Sequence, residues 1–204
     1  MSFCNSFEPR PVVIESERVR LEPLDIHHAD DLAVAADEAE IWAYMPLAAG
    51  VVRDDCRGWI EATHRDAADG SQVPFAIVDR LSGRAVGSTR YLNIRRAHRS
   101  LEIGYTWLGS AARRTPINTH CKWLLLSHAF DTLGAIRVEF KTDNRNARSQ
   151  RALERIGATR EGLHRQHMIM PDGHLRDSVY YSIIDKEWTD VSARLQQMLS
   201  AASG

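Results

Sequence analysis

Two kinds of apolar spacing interleave along this chain: short stretches that alternate with a period of two, as strands do, and longer ones that repeat every three or four residues, as helices do. Arg18 to Glu22 (RVRLE) alternates like a half-buried strand. His27 to Asp37 then carries Ala29, Leu32, Ala33 and Ala36 at helical spacing behind Asp25, a good N-cap residue. Asp54 or Asp55 can cap a second helix running to about Ala68, with Cys56, Trp59, Ile60 and Thr63 on one stripe, and IWAYMP (Ile41 to Pro46) lies between the two helices. Pro74 to Asp79 and Ala85 to Leu92 form a hairpin around Ser82 and Gly83.

Ser100 to Leu108 (SLEIGYTWL) reads as a core strand, with Leu101, Ile103, Tyr105 and Trp107 on one face and Glu102, Gly104, Thr106 and Leu108 on the other. A helical stripe follows through Ile117, Cys121, Leu124, Leu125, His128, Ala129 and Leu133, stopped by Gly134, and then a strand over Ile136 to Lys141. Asn146 to Ile156 is a helix closed by Gly157. Arg160 to Met170 and Leu175 to Ile184 flank the turn Pro171-Asp172-Gly173, and a short helix from Asp185 frays at Ala201 to Gly204. The helix between SLEIGYTWL and Ile136 to Lys141 demands a right-handed crossover, which makes those two strands parallel within an otherwise antiparallel sheet. The expected fold class is therefore α/β (α+β) with a mixed, mostly antiparallel sheet of six or seven strands. No internal repeat or linker divides the chain, so residues 1–204 are read as one domain with a core of about 18–184 and a tail of 185–204.

Composition agrees with a single globular domain: 204 residues, 44% hydrophobic, 26% charged, net charge −1. Disordered, collagen-like and coiled-coil classes are excluded. No stretch approaches the roughly 18 to 20 apolar residues that span a bilayer, and MSFCNSFEPR has no signal pattern, so a cytoplasmic protein without a membrane partner is expected. Cys4, Cys56 and Cys121 are far apart and read as reduced thiols. All but three of the 26 basic residues are arginine. Charge is unevenly spread: Glu22 to Asp69 holds twelve acids and three arginines, whereas Arg80 to Arg114 holds eight arginines and one acid, Glu102. The two segments either attract each other as solvated surfaces or receive ligands of opposite sign. Near-neutral net charge argues against a nucleic-acid partner, although Arg90, Arg95, Arg96 and Arg99 lie near Tyr91.

Candidate chemistry begins where the core strand meets the long helix, Gly109 to Thr119 (GSAARRTPINT). Thr115 and Pro116 are N-cap and first-turn residues, so the N–H groups of Ile117, Asn118 and Thr119 should be free beside the guanidinium groups of Arg113 and Arg114. That is an anion site, or else a capped helix with two solvated arginines. His27, His28, His120 and His128 show no metal-ligand spacing, and no metal is expected.

The succession EIGYTWL, RRTPINT and NRNARSQRALERIGA resembles the GCN5-related N-acetyltransferases (GNAT), with the RimJ/RimL-type branch as the nearest pattern, over roughly Arg18 to Ile184. The resemblance implies a central strand pair that splays apart, helices on both faces, and acetyl-CoA as co-substrate. It implies that Trp107 and Leu108 offer backbone to pantetheine, that Arg113, Arg114, Thr115, Ile117, Asn118 and Thr119 hold phosphates, and that Asn146 and Ser149 belong to the second motif. Ser149 would stand next to the thioester sulfur. The phosphate loop departs from the family pattern, with Pro116 and Asn118 where glycines are usual, which predicts weaker binding or a shifted pose. Glu102 is the leading general base, unless it only pairs with an arginine such as Arg99. The second glutamate of RimL-like relatives is replaced by Met168; His167 is the substitute, and strand spacing sets its neighbour His164 on the opposite face. For the acceptor amine, Asp37, Glu38 and Glu40 would supply charge and Trp42, Tyr44 and Met45 an apolar wall. The expected activity is acetyl transfer to a primary amine, either a small molecule or a protein N-terminus, in a ternary complex. A catalytically silent acyl-CoA-binding or protein-interaction module is the alternative, and a homodimer through the last hairpin is implied by analogy.

Overall fold

The computed structural model describes residues 7–48 and 50–202, so Cys4 lies outside the described residues. Eight strands form a single sheet in the order β1-β2-β3-β4-β5-β6-β8-β7. They are β1 (Ile14–Glu15), β2 (Val19–Pro23), β3 (Val73–Asp79), β4 (Arg84–Arg95), β5 (Ser100–Leu108), β6 (Arg137–Asp143), β7 (Thr159–Ile169) and β8 (Leu175–Ile184). The expected six or seven become eight because β1, two residues paired with Leu21 and Arg20, is too short to show alternation. The helices are α1 (Ala29–Ala35), α2 (Val51–Asp54), α3 (Cys56–Ala67), α4 (Ile117–Ser127), α5 (Ala147–Ile156) and α6 (Asp185–Ala202). No helix among the described residues is long and apolar enough to cross a membrane.

Alternate residues of the strands enter two different cores. Phe75, Ile77, Tyr91, Leu101, Ile103, Val138, Phe140, Val179 and Tyr181 pack with Ile117, Cys121 and Leu125 of α4, Leu153 of α5 and Trp188 and Leu195 of α6. Ala76, Val78 and Trp107 point the other way and meet Leu32 of α1, Val52 of α2 and Trp59 and Ile60 of α3. The tail helix is not short: α6 runs eighteen residues, to Ala202, with Trp188 stacked on Phe130 at 5.2 Å and its indole N–H donating to Asp131 at 2.6 Å; the last two residues of the expected frayed end lie outside the described residues.

Three features place the site. First, β5 and β6 pair in parallel only over Ser100–Arg137, Leu101–Val138 and Glu102–Glu139, after which they part. Second, two residues of β5 oppose one of β4 between the pairs Ser88–Trp107 and Arg90–Gly104, a bulge with Tyr105 at φ +49°. The uniform alternation expected for SLEIGYTWL is therefore wrong beyond Gly104: Trp107 turns to the α1–α3 side, 5.2 Å from the Trp42 ring, and Leu108 joins the opposite core. Third, Gly157 closes α5 at φ +98°, where an added Cβ would approach Val191 of α6 within 3.2 Å. Gly157→Ala should cost about 1 to 2 kcal/mol of unfolding free energy in urea titrations.

Candidate active site

The face of the sheet left open beyond α1–α3 is polar. Strand register puts Glu102 opposite Glu139, Glu139 opposite Ser182, Lys141 opposite Tyr180 and Asp143 opposite Ser178, all on one side. Glu102 sits at the point where β5 and β6 separate and is 2% exposed. Asn93, itself at φ +49°, donates its side-chain N–H to Glu102 Oε2 at 2.7 Å, and Lys141 Nζ lies 3.9 Å from Oε1. Lys141, not Arg99, is thus the charged partner. Burial pushes the Glu102 carboxyl pKa up against the pull of Lys141, the Asn93 hydrogen bond and Arg176, and Glu139 adds to the rise. A carboxylate held this way is a stronger base than a solvated one.

His167 and His164 are not on opposite faces. Between the pairs His164–Ser178 and Met168–Arg176, β7 carries two extra residues, and Gln166 takes φ +47° with its N–H on Asp177 Oδ1. This bulge swings His167 back, so the two rings stand 5.7 Å apart against Tyr180. His167 Nδ1 is 3.2 Å from Ser178 Oγ and Nε2 is 3.2 Å from the Tyr180 hydroxyl. Partial burial, with Lys141, His164 and Arg176 nearby, lowers its pKa below 6.5, leaving it neutral at pH 7.

Behind the β5–β6 gap, α4 opens one residue after Pro116. The Thr115 hydroxyl oxygen accepts from Ile117 N–H at 3.3 Å, and His120 N–H bonds the Pro116 carbonyl. Among the described residues the N–H groups of Asn118 and Thr119 take no acceptor, as the first turn of a helix allows. Arg114, at φ +59° and exposed, makes no ion pair there either. Arg113 behaves differently: its side chain is 18% exposed, Nη1 is 3.3 Å from Glu38 and 3.7 Å from Glu40, and Nε donates to the Leu108 carbonyl at 3.1 Å. The free amides and Arg114 fit a phosphate group. Arg113, Glu38 and Glu40 instead tie the phosphate loop to the segment after α1, and Arg84 pairs with Asp31 at 2.9 Å. The acidic and basic segments do attract each other. Lys122 of α4 bridges the gap from below, with Nζ 3.1 Å from Thr106 of β5 and 5.5 Å from the Phe140 ring of β6, and burial lowers its pKa.

The Asn146 side chain caps α5 by accepting from Ser149 N–H at 3.0 Å, while the Ser149 hydroxyl, half-buried, has no hydrogen bond among the described residues. Glu40 is also 3.3 Å from Arg148. Trp42 is buried, its indole N–H on the Ala36 carbonyl, so it anchors the segment. Asp37 is exposed, and the half-buried Tyr44 lies under Arg145, its carbonyl accepting from Arg176.

Sequence reading missed a cavity of ≈ 610 Å³ between α3 and the sheet, lined by Asp54, Asp55, Trp59, Asp66, Arg90 and Tyr105 among others. Asp54 and Asp55 were read only as caps, and Arg90 only as part of a basic run; Lys141 had one signal, its rarity among the arginines. A grouping of possible metal ligands absent from the sequence spacing also appears: donor atoms of Glu22, His27 and His28 lie within 4.8 Å of one another. There His28 Nε2 is 2.7 Å from Glu22, Arg20 binds the other Glu22 oxygen, and Asp25 holds His27 at 2.8 Å.

The sheet thus opens between two parallel strands, with a helix start bearing free amides behind the opening and a buried carboxylate at its apex. Residues 18–159 match the family described as "Acetyltransferase (GNAT) domain". The chain belongs to the GNAT acetyltransferases and resembles their RimJ/RimL-type branch. It is 32% identical to the Bacillus subtilis protein named "Putative ribosomal N-acetyltransferase YdaF", over 82% of this chain and 90% of that one. The crystal structure of a GCN5-related N-acetyltransferase from Brucella melitensis superposes with a TM-score of 0.84 at 31% identity, covering 93% of this chain and 86% of that one. Mycobacterium smegmatis RimJ, in complex with CoA-disulfide, shares the fold with a TM-score of 0.76 at 24% identity and 88% coverage of each chain. The GNAT fold binds acetyl-CoA.

Proposed function

We propose that this acetyltransferase moves the acetyl group of acetyl-CoA to the primary amine of a protein N-terminus by direct attack in a ternary complex. The observation that carries the reading is Glu102, a buried carboxylate of raised pKa at the apex of the β5–β6 opening. Acetyl-CoA supplies the activated acetyl group. Arg114 and the N–H groups of Asn118 and Thr119 would hold its phosphates, with Thr115 and Ile117 fixing the helix start. Trp107 and Leu108 would border the pantetheine arm, and Asn146 would orient Ser149. Glu102 takes the amine proton, directly or through water, as nitrogen bonds to the carbonyl carbon and the carbon–sulfur bond breaks. Ser149 hydrogen-bonds the departing thiolate, and neutral His167 is a second proton acceptor on the same face. Asp37, with Glu38 and Glu40 where Arg113 and Arg148 release them, would draw in the cationic amine past Trp42 and Tyr44. The printed name of the Bacillus subtilis relative, a putative ribosomal N-acetyltransferase, supports a macromolecular acceptor, and a protein N-terminus is the primary amine we assign to it.

Thiol release from acetyl-CoA in the presence of N-terminal peptides tests this. Release should require a free α-amine and stop with the same peptide N-acetylated. Equal release with both, which is hydrolysis, would overturn the reading.

A further inference from the structure

The cavity between α3 and the sheet has one basic group in its lining, Arg90, beside Asp54, Asp55 and Asp66. Arg90 on β4 is 4% exposed and lines that cavity. Its Nη1 donates to the Gln72 side-chain oxygen at 2.8 Å, its guanidinium lies 4.2 Å over the Tyr105 ring, and its Nε is buried with no acceptor. No carboxylate among the described residues forms an ion pair with it; Asp66 acts only at longer range, and burial lowers the Arg90 pKa. A buried guanidinium with one neutral hydrogen bond is costly, and a cation–π contact offsets only part of that cost. Arg90 itself lacks an anionic partner among the described residues.

The position of Arg90 relies on the bulge at Tyr105. Arg90 is the register partner of Gly104, and Leu92 that of Glu102. Above Gly104 an added Cβ would meet Leu92 Cδ2 at 2.9 Å and Glu102 Oε1 at 3.2 Å. Arg90 and Glu102 therefore lie diagonally across the β4–β5 pair on one face of the sheet, with Leu92 and Gly104 at the other two corners. Diagonal positions of this kind are about 7 to 8 Å apart, a span that one amino acid covers.

We infer that Arg90 binds a carboxylate of the acceptor, so that the enzyme's substrates are amines that also carry an acidic group rather than polyamines. Asp54, Asp55 and Asp66 line the same cavity and would meet the ammonium end of such a ligand, so the carboxylate has its one positive partner at Arg90. This rests on the acetyl-transfer reading above. The carboxylate has two possible sources with the same chemistry, an acidic side chain near a peptide N-terminus or a small amino acid.

The test compares peptides differing only by Glu or Gln at the second position, and a small ω-amino acid with the diamine of equal length, in the thiol-release assay. Wild type should prefer the acidic member of the operative pair by about tenfold or more in kcat/KM, chiefly through KM, as a charge-assisted hydrogen bond implies. Preference in the peptide pair alone identifies a polypeptide acceptor, and in the other pair alone a small one. Arg90→Met should abolish the preference and Arg90→Lys restore part of it, with thermal melts confirming that both variants fold. Equal rates in wild type, or a preference that survives in Arg90→Met, would overturn the inference. Calorimetric titration of the same pairs reads Arg90 without turnover: absent acetylation of every amine with selective binding of the acidic ligand would sink the transferase reading alone.

Discussion

Glu102→Gln should lower kcat by about 10²- to 10⁴-fold, the usual contribution of a positioned general base, while acetyl-CoA still binds. Glutamine keeps the shape of the side chain and can still meet Asn93, so the loss reports the missing proton acceptor rather than a collapsed cleft. The same substitution should make the protein more stable at neutral pH. Burial raises the Glu102 pKa above the usual 4.5, so the folded chain holds that proton over a range where the unfolded chain has released it. Wild-type stability therefore falls as pH rises from 4.5 through the raised pKa, and the variant escapes this loss. Its melting temperature should exceed that of wild type at pH 7, with the gap closing as pH falls below 4.5. Loss of activity joined to gain of stability is the pattern of a strained functional group, and a residue that merely anchored the fold would show the reverse.

Arg114→Ala should weaken acetyl-CoA binding by about 10- to 100-fold, the range for losing hydrogen bonds to a charged group. Arg114 is the exposed guanidinium of the loop and has no ion pair among the described residues, so its charge is available to a phosphate. Arg113 is already held by Glu38, Glu40 and the Leu108 carbonyl, and releasing it loosens the acceptor-side segment together with the loop. Arg113→Ala should therefore raise KM for the amine as well as for acetyl-CoA, whereas Arg114→Ala should raise that for acetyl-CoA alone. Initial rates with each substrate varied in turn separate the two.

The periodic elements were legible because their side chains are sorted by burial alone. RVRLE, PFAIVD, the stripe from Ile117 to Ala129 and the Pro171-Asp172-Gly173 turn appear where the pattern put them, and the parallel pair followed from its helical crossover. Glu102 stood out as one acid among eight arginines. Illegible were the places where the sheet departs from regular pleating. The bulges at Tyr105 and Gln166 place non-glycine residues at positive φ, so no local residue announces them, and each reverses which side chains share a face. Those reversals bring His164 to His167 and Trp107 to Trp42, and leave Tyr105 under Arg90. Arg90 itself looked like any arginine of a surface run, because its surroundings, the Gln72 side chain and the Tyr105 ring set in place by the β5 bulge, are not neighbours in its local sequence. Arg113, Glu38 and Glu40 were assigned to two different ligands and turned out to bind each other across some seventy residues of sequence, which no local pattern reveals.

If this cleft transfers acetyl from acetyl-CoA to an amine with Glu102 as base, wild type should acetylate N-terminal peptides and Glu102→Gln should not. Mass spectrometry of such peptides incubated with acetyl-CoA and either protein should find one acetyl group on the α-amine with wild type and almost none with the variant over the same time. Equal acetylation by both proteins, or none by wild type while it binds acetyl-CoA, would remove Glu102 from that role.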